Sequence, residues 1–291
     1  MIWTIKNEFL EVQVNDYGAE LWSIKGLKTN TEYLWQGEKP YWGDRATVIF
    51  PICGRLYQGK YTYKGKTYDM IIHGFAKKMN YEVEEHTDTK IRLSFASNDF
   101  TRAQYPFEFI FKMEYTLEGN TITQRYIVEN TDDKEMIFSV GGHPGFKFPF
   151  NKGEEYDDYY LEFTTDEPKE QVVFSNHLFS GEHIPYQMKD GNKIQLSHKF
   201  FEKGLFTKGG SKEVTLKTKA NNQSVTLKFD EFEWLGLWKD NFTTAEFACI
   251  EPWKSLPSVD GREEDFETKA NMEHLEPNGK FTTKFTITIN E

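Results

Sequence analysis

Four polar residues lie far apart in the sequence, yet each follows or ends an apolar segment and adjoins a glycine or a proline: Arg55, His73, His143 and Glu251. A histidine and a glutamate can both be tuned to titrate near neutral pH, so the two can act together as general acid and base. An arginine supplies a permanent positive charge and hydrogen-bond donors for oxygen atoms. The four residue types are therefore suited to proton transfer at a sugar, provided that the fold brings them together.

His143 stands in the bent segment 139–146, which contains three glycines and one proline. Glycine permits positive φ angles and close approach of other groups, whereas proline fixes φ and removes a donor. Residues 135–140 have the pattern of a strand, so we expect His143 at a strand end, facing a cleft. An ordinary Gly-Pro turn that carries a loop histidine is the alternative interpretation.

Glu251 has a similar setting, because the apolar run 247–250 leads directly into it. Proline cannot donate to a central ladder. Pro252 therefore predicts that the strand stops there and leaves Glu251 at its end, beside the aromatic ring of Trp253. His73 likewise follows an apolar run.

Short alternating runs separated by turns fill most of the chain and predict strands rather than helices. A turn at residues 64–65 marks a hairpin, and a short helix is expected after a cap at Ser97 or Asn98. Residues 151–212 are more polar and harder to assign. Because no linker, low-complexity tract or internal repeat is apparent, we expect residues 1–291 to form one all-β domain, a sandwich or a barrel.

The composition restricts the classes of partner. The formal net charge is -11, which argues against binding to nucleic acid or to an anionic membrane surface. No run approaches the length of a membrane span, and the strand-like alternation at the N-terminus predicts that there is no signal peptide. The two cysteines, Cys53 and Cys249, have apolar neighbours. They predict free buried thiols in a cytoplasmic protein.

Four segments occur in a specific order: Phe-Pro-Ile-Cys-Gly-Arg-Leu at 50–56, His-Gly-Phe-Ala at 73–76, Gly-His-Pro-Gly-Phe at 142–146 and Cys-Ile-Glu-Pro-Trp at 249–253. With these motifs the sequence resembles the aldose 1-epimerase (galactose mutarotase) family. It is most similar to the shorter bacterial branch that is encoded beside lactose genes. The resemblance extends along essentially the whole chain.

The resemblance implies a large antiparallel β-sandwich that binds a monosaccharide in an open cleft, without cofactor or metal ion, as a monomer or a homodimer. By position, Glu251 matches the family's general base and His143 its general acid. His73 and Arg55 match residues that position the sugar, and Trp253 lies beside the base as a sugar-binding aromatic residue. In the implied mechanism, the base takes the proton of the anomeric hydroxyl while the acid protonates the ring oxygen. The ring opens, the C1–C2 bond rotates, and closure gives the other anomer of an aldose such as glucose or galactose.

One position departs from the family pattern. Where the family commonly has an aspartate that contacts sugar hydroxyls, this sequence has Lys203, a residue with donors but no acceptor. The substrate therefore remains open between a neutral aldose and a hexose 6-phosphate. The negative net charge favours the neutral sugar.

Three other classes of function share some of these residue types. A non-catalytic sugar-binding protein on the same fold would not need both His143 and Glu251. A metal site formed by His73, His143 and Glu251 has suitable donor types but not the spacing of a known motif. A glycosidase needs two carboxylates that flank the bond, and only Glu251 is well placed for this.

Overall fold

A computed structural model describes residues 1–165, 169–188, 190–202, 205–208, 210–240 and 244–291. Within these ranges the chain consists mainly of strands. It also has one short α-helix, α1 (Asp99–Gln104), and 3-10 helices at Tyr57–Gly59, Ala76–Lys78, Tyr156–Asp158 and His198–Glu202. No helix in the described ranges is long and apolar enough to cross a membrane.

The strands, numbered in chain order, have the following bounds: β1 (Ile2–Lys6), β2 (Leu10–Asn15), β3 (Glu20–Gly26), β4 (Ala46–Ile49), β5 (Lys60–Tyr63), β6 (Lys66–Asp69), β7 (Glu82–His86), β8 (Lys90–Ala96), β9 (Phe109–Glu118), β10 (Thr121–Asn130), β11 (Met136–Phe138), β12 (Gly141–Lys147), β13 (Tyr159–Phe163), β14 (Lys169–Ser175), β15 (Leu178–Tyr186), β16 (Lys193–Gln195), β17 (Leu205–Lys208), β18 (Glu213–Thr218), β19 (Ser224–Lys228), β20 (Trp234–Trp238), β21 (Phe247–Trp253), β22 (Glu264–Asp265), β23 (Glu273–Leu275) and β24 (Lys280–Asn290).

Two large antiparallel sheets dominate the described part of the chain. The nine-stranded sheet has the order β16-β13-β18-β19-β24-β10-β9-β8-β7, and the seven-stranded sheet has the order β15-β14-β17-β20-β21-β12-β4. Smaller sheets are formed by β1-β2-β3, by β11-β23 and by β22-β5-β6, in the last of which β22 runs parallel to β5. This architecture confirms the predicted all-β, mainly antiparallel fold.

The main hydrophobic core lies between the two large sheets. The seven-stranded sheet contributes residues such as Val48, Leu235 and Ile250, and the nine-stranded sheet contributes residues such as Phe111 and Ile287. Successive side chains of a strand point to opposite faces of the sheet. The residues that precede and follow Val48, Leu235 and Ile250 in the chain therefore point to the other face of the seven-stranded sheet. That outer face carries the candidate site.

Several local predictions are confirmed. The turn at residues 64–65 joins β5 to β6, and the side chain of Asn98 caps α1 by accepting the backbone N–H of Thr101. Both cysteines are free and buried. Residues 151–212 contribute β13 to β17 to the two large sheets. In β15 most side chains are exposed, so the apolar alternation that marks a half-buried strand is weak there.

His143 and Glu251 lie inside strands, so the prediction that each stands at a strand end is wrong. β12 continues on both sides of His143, and β21 continues for two residues beyond Glu251. A surface loop around His143 is equally excluded, because the residue is buried in the sheet.

The prolines that suggested strand ends are tolerated because their missing donors point into a gap between β12 and β21. Alternate residues of a strand donate to opposite neighbours. The N–H of Gly145 donates toward β4, so Pro144 faces β21, and the N–H of Lys254 donates toward β12, so Pro252 faces β12. On β12 the paired positions stop at Gly141 and resume at Gly145. The gap in the ladder therefore coincides with the two prolines, which interrupt the pairing without ending either strand.

Gly142 packs directly against the nine-stranded sheet. A methyl group at this position would lie 2.7 Å from the ring of Phe285 and 3.0 Å from the hydroxyl oxygen of Tyr126. Because both neighbours belong to a close-packed core, we expect Gly142→Ala to lower the free energy of unfolding by about 1–3 kcal/mol.

Gly43→Ala is the matched control for this substitution, because a methyl group at Gly43 would meet nothing within 4 Å. Its free energy of unfolding should stay within about 0.5 kcal/mol of the wild-type value. Urea denaturation followed by tryptophan fluorescence would measure both variants. Equal stabilities of the two would contradict the packing described for Gly142.

Candidate active site

The seven-stranded sheet places His143 and Glu251 directly opposite each other, on β12 and β21. The antiparallel register that pairs Gly141 with Trp253 also aligns His143 with Glu251. Nε2 of His143 lies 3.2 Å from Oε2 of Glu251. His143 is only 7% exposed and Glu251 only 1%, so an imidazole and a carboxyl group meet almost out of contact with solvent.

Aromatic rings surround the imidazole of His143. The indole of Trp42 stacks on it, with ring centroids 4.9 Å apart and 29° between the planes. Trp238 and His73 approach it edge-on, at centroid distances of 5.4 Å and 5.3 Å. Trp42 and Trp238 pack in turn against a small apolar cluster that includes Phe247. Packing therefore fixes the orientation of the imidazole and keeps its surroundings apolar.

A glycine on β20 makes room for an aromatic ring next to Glu251. Gly236 pairs with Glu251 on one side and with Phe206 of β17 on the other. A methyl group at Gly236 would lie 2.3 Å from the ring of Phe206, so this ring lies across the glycine. Its centroid is 4.5 Å from that of Trp253. Phe206 and Trp253 therefore border Glu251 along this face of the sheet.

His73 occupies a tight backbone turn with φ of 64°, and Gly74 follows with φ of 70°. A methyl group at Gly74 would lie 2.1 Å from the carbonyl oxygen of Phe50, so only glycine permits this turn. The backbone N–H of Gly54 donates to Nδ1 of His73 at 3.2 Å. The neutral ring therefore carries its proton on Nε2. The ring lies edge-on to Trp253, with centroids 5.3 Å apart.

The His143–Glu251 pair contains three buried polar atoms without partners in the described part of the chain. Nδ1 of His143 and both carboxyl oxygens of Glu251 are buried and have no hydrogen-bond partner among the described residues, since the 3.2 Å contact lacks hydrogen-bond geometry. Buried polar groups are nearly always hydrogen-bonded, and an unpartnered one costs about 1–3 kcal/mol. Three such atoms side by side indicate a place where a polar ligand supplies the missing bonds.

Burial shifts both groups toward their uncharged forms. It lowers the pKa of His143 to about 3, and the cation of Lys77 contributes to this shift. Burial also raises the pKa of Glu251 well above its ordinary value. Without a ligand, burial therefore favours the neutral imidazole and the protonated carboxyl group.

Two cations lie near the imidazoles. Burial lowers the pKa of His73 well below its ordinary value, and the charges of Lys77 and Arg55 add to this effect. Burial lowers the pKa of Lys77 as well, which the carboxylate of Asp44 opposes. Arg55 is exposed and Lys77 half-buried. Neither side chain forms an ion pair within the described ranges.

The structure brings together most of the site residues expected from the sequence. His73, His143, Glu251 and Trp253 lie in one contiguous group. Arg55 lies at its exposed margin, one residue after the glycine that donates to His73. Lys203, where the sequence departs from the family pattern, lies outside the described residues.

Sequence reasoning missed four residues that lie close to the pair: Lys77, Phe206, Gly236 and Trp238. Lys77 follows His73 by four positions in the same segment, but nothing in its neighbours marks it. An isolated glycine inside a strand pattern indicates the close approach of another group. Gly236 is therefore the one of the four that the sequence could have indicated. Phe206 and Trp238 look like ordinary strand aromatics, and only the register of the sheet places them beside Glu251 and His143.

This arrangement is suited to moving protons at a bound ligand. The imidazole and the carboxyl group lie side by side, and both have buried polar atoms without partners in the described ranges. Together they can take a proton from one atom of a ligand and give a proton to an adjacent atom. The aromatic rings around them offer apolar surface to the rest of that ligand.

Comparisons with known proteins identify the family of the chain. Residues 1–260 match the family described as aldose 1-epimerase. The chain is 30% identical to the chromosomal LacX protein of Lactococcus lactis subsp. lactis, over 98% of each chain. A galactose mutarotase related enzyme from Lactobacillus acidophilus superposes with a TM-score of 0.95 at 34% identity, covering 100% of this chain and 98% of the other. A galactose mutarotase-like protein from Lactobacillus casei ATCC 334 gives a TM-score of 0.93 at 26% identity, covering 100% of both chains. The chain therefore belongs to the aldose 1-epimerase family.

Proposed function

We propose that this protein is a mutarotase that interconverts the α and β anomers of free aldoses such as glucose and galactose. The observation that supports this most directly is the 3.2 Å contact between Nε2 of His143 and Oε2 of Glu251, two buried groups with unpartnered polar atoms. Anomer exchange removes a proton from the anomeric hydroxyl and adds one to the ring oxygen. Both oxygens are bonded to the same carbon, so an acid and a base that touch each other match the reaction.

Glu251 and His143 take the two roles in turn. During ring opening, Glu251 accepts the proton of the anomeric hydroxyl and His143 protonates the ring oxygen. After the C1–C2 bond of the open aldehyde rotates, the two groups exchange roles and the ring closes on the other face. Mutarotation proceeds in water without a catalyst, so two positioned groups, each contributing about a hundredfold or more, are sufficient.

Sugar binding prepares the pair by moving its proton from Glu251 to His143. Burial favours the neutral pair in the sugar-free site. A bound sugar donates hydroxyl hydrogen bonds to the carboxyl oxygens, and such bonds favour the carboxylate. For this transfer the two groups, 3.2 Å apart, have to adopt hydrogen-bond geometry. Because the transfer leaves the total charge of the pair unchanged, it costs less than creating a new buried charge.

The residues around the pair suit a sugar. The rings of Trp42, Trp238 and Phe206 can pack against the C–H face of a pyranose. Nε2–H of His73 and the guanidinium of Arg55 can donate to its hydroxyl oxygens. A protein that only binds sugar could use the carboxyl oxygens of Glu251 as hydrogen-bond acceptors, but it would not need an imidazole in contact with them. The pair therefore favours catalysis over simple binding.

Removing either member of the pair should abolish most of the activity. Glu251→Gln keeps the shape but removes the base, and His143→Asn removes the acid. We expect each substitution to lower kcat/KM by about 10²–10⁴-fold. NMR that starts from pure α-glucose, with the uncatalysed rate subtracted, would measure this.

The thermal midpoint provides the folding control for these variants. A neutral amide avoids the cost of a buried ionisable carboxyl group, so Glu251→Gln should melt no lower than the wild type at neutral pH. Near-normal anomer exchange by folded Glu251→Gln would rule out the proposed role of Glu251.

The pH dependence of the free enzyme should reflect the shifted pKa values. The pair gains a second proton only as the pH falls through the pKa of His143, about 3. It loses its remaining proton only above the raised pKa of Glu251. We therefore expect kcat/KM to show no acid limb until the pH approaches the pKa of His143, about 3. An acid limb near about 6.5, the value of an ordinary histidine, would contradict the assignment.

A phosphorylated aldose is the second candidate substrate, and the cations Arg55 and Lys77 favour it. Both act on the imidazole of His73, and neither forms an ion pair within the described ranges. Guanidinium and ammonium groups are the usual protein partners of phosphate. The net charge of -11 opposes this reading, because it repels anions at long range.

Lys77→Gln distinguishes the two substrate classes, and Lys78→Gln is its matched control because Lys78 is the exposed neighbour. If a phosphate group binds Lys77, this variant should lose about tenfold or more in kcat/KM for glucose 6-phosphate. It should lose much less for glucose, and Lys78→Gln should change neither value. An unchanged preference in Lys77→Gln would exclude phosphate recognition by this residue, and the ratio of kcat/KM for glucose 6-phosphate and glucose in the wild type decides between the two substrate classes.

A further inference from the structure

Cys249 completes a group of three metal-binding side chains at the candidate active site. It precedes Glu251 by two residues on β21, so both side chains lie on the same face of the sheet. One ligand atom each from His143, Cys249 and Glu251 lies within 4.8 Å of the other two, and all three residues are buried. The nitrogen Nδ1 of His73 already accepts a hydrogen bond from Gly54. The three donors therefore differ from the His73-containing metal site that the sequence left open.

The three donors suit a borderline-soft divalent cation. Zn²⁺ binds thiolate at about 2.3 Å and imidazole or carboxylate at about 2.0–2.2 Å, usually in a tetrahedral arrangement. Such bond lengths place the ligand atoms about 3.3–3.7 Å apart. In this structure the ligand atoms are up to 4.8 Å apart. Side-chain shifts of about 1 Å would bring them into the range that zinc requires. Three protein ligands leave the fourth position for a water molecule.

The charges of the three groups also match a dication. The thiolate of Cys249 and the carboxylate of Glu251 together carry two negative charges, whereas the imidazole of His143 is neutral. A bound dication therefore makes the buried group neutral overall and avoids the cost of an isolated buried charge. It also supplies a partner for the carboxyl oxygens, which have none among the described residues. Binding displaces the thiol and carboxyl protons, so it weakens as the pH falls.

We propose that a thiophilic divalent cation such as Zn²⁺ binds to Cys249, His143 and Glu251 when no sugar is present, and that it thereby inhibits the enzyme. The cation occupies the base and the acid at once, so it competes with the sugar. Mg²⁺ prefers oxygen ligands and does not bind there. The inhibitory effect rests on the proposed mutarotase function, whereas the binding depends only on the three side chains.

Cadmium absorption tests the binding without any need for catalysis, because a cadmium–thiolate bond absorbs in the ultraviolet. Cys53 is the matched control, since it is the other free buried cysteine and lies outside the group of three. We expect the absorption band in the wild type and in Cys53→Ser. We expect none in Cys249→Ser or Cys249→Ala, and a weaker band in Glu251→Gln. Circular dichroism verifies the fold of each variant. A band retained by both Cys249 variants, or lost only in Cys53→Ser, overturns the proposal.

Inhibition is tested by the same variants in the anomer-exchange assay. Zn²⁺ should inhibit the wild type and Cys53→Ser, EDTA should reverse the inhibition, glucose should protect against it, and Mg²⁺ should have no effect. Cys249→Ser should raise the half-inhibitory concentration of Zn²⁺ by about tenfold or more. Substitution of residues that only hydrogen-bond to the metal ligands already weakens metal binding by about this factor. Equal inhibition of Cys249→Ser and the wild type overturns the inhibitory site. If the wild type exchanges no anomers, the proposed function fails, while the cadmium band still decides whether the metal site exists.

Discussion

An imidazole and a carboxyl group have to meet inside a β-sheet, where neighbouring strands normally bond to each other. The sheet resolves this conflict by leaving its ladder open between Gly141 and Gly145 of β12. Pro144 and Pro252 occupy this gap and lack the donors that would otherwise be left without partners there. His143 and Glu251 can then face each other at 3.2 Å while the strands on either side remain paired. The prolines therefore permit the contact without ending the strands.

The glycines beside His143 have separate packing roles, which follow from the position of His143 inside the sheet. A methyl group at Gly141 would lie 2.9 Å from the ring of Trp253, and one at Gly145 would lie 2.8 Å from the ring of Trp42. Both glycines are on the site face of β12, so they let one aromatic ring approach on each side of His143. Gly142 points the other way, into the core. A segment that reads as a flexible turn is in fact a buried strand in which each small residue admits one neighbour.

This distinction explains how far the sequence could be interpreted. Alternating runs such as β9 and β10 predicted the antiparallel hairpins, because the side chains of one face are buried and many of those on the other face are partly exposed. The motifs predicted which polar residues converge. They could not predict that His143 lies inside a strand, because proline and glycine have the same local signature in a turn and in an opened ladder. Phe206 and Lys77 stayed hidden for another reason, since their positions depend on pairing and charge across distant segments rather than on their neighbours in the chain.

The alternation of β21 also couples stability to chemistry. Ile250 points into the main core, and Glu251 points to the outer face beside His143. A slip of one residue in the register would exchange the two faces. It would bury the carboxyl group in the core and bring an aliphatic side chain to the imidazole. The hydrophobic free energy that holds Ile250 in place therefore also holds the base against the acid. The unpartnered atoms of His143 and Glu251 lower stability locally, and the fold tolerates them because the core fixes the register on which the site depends.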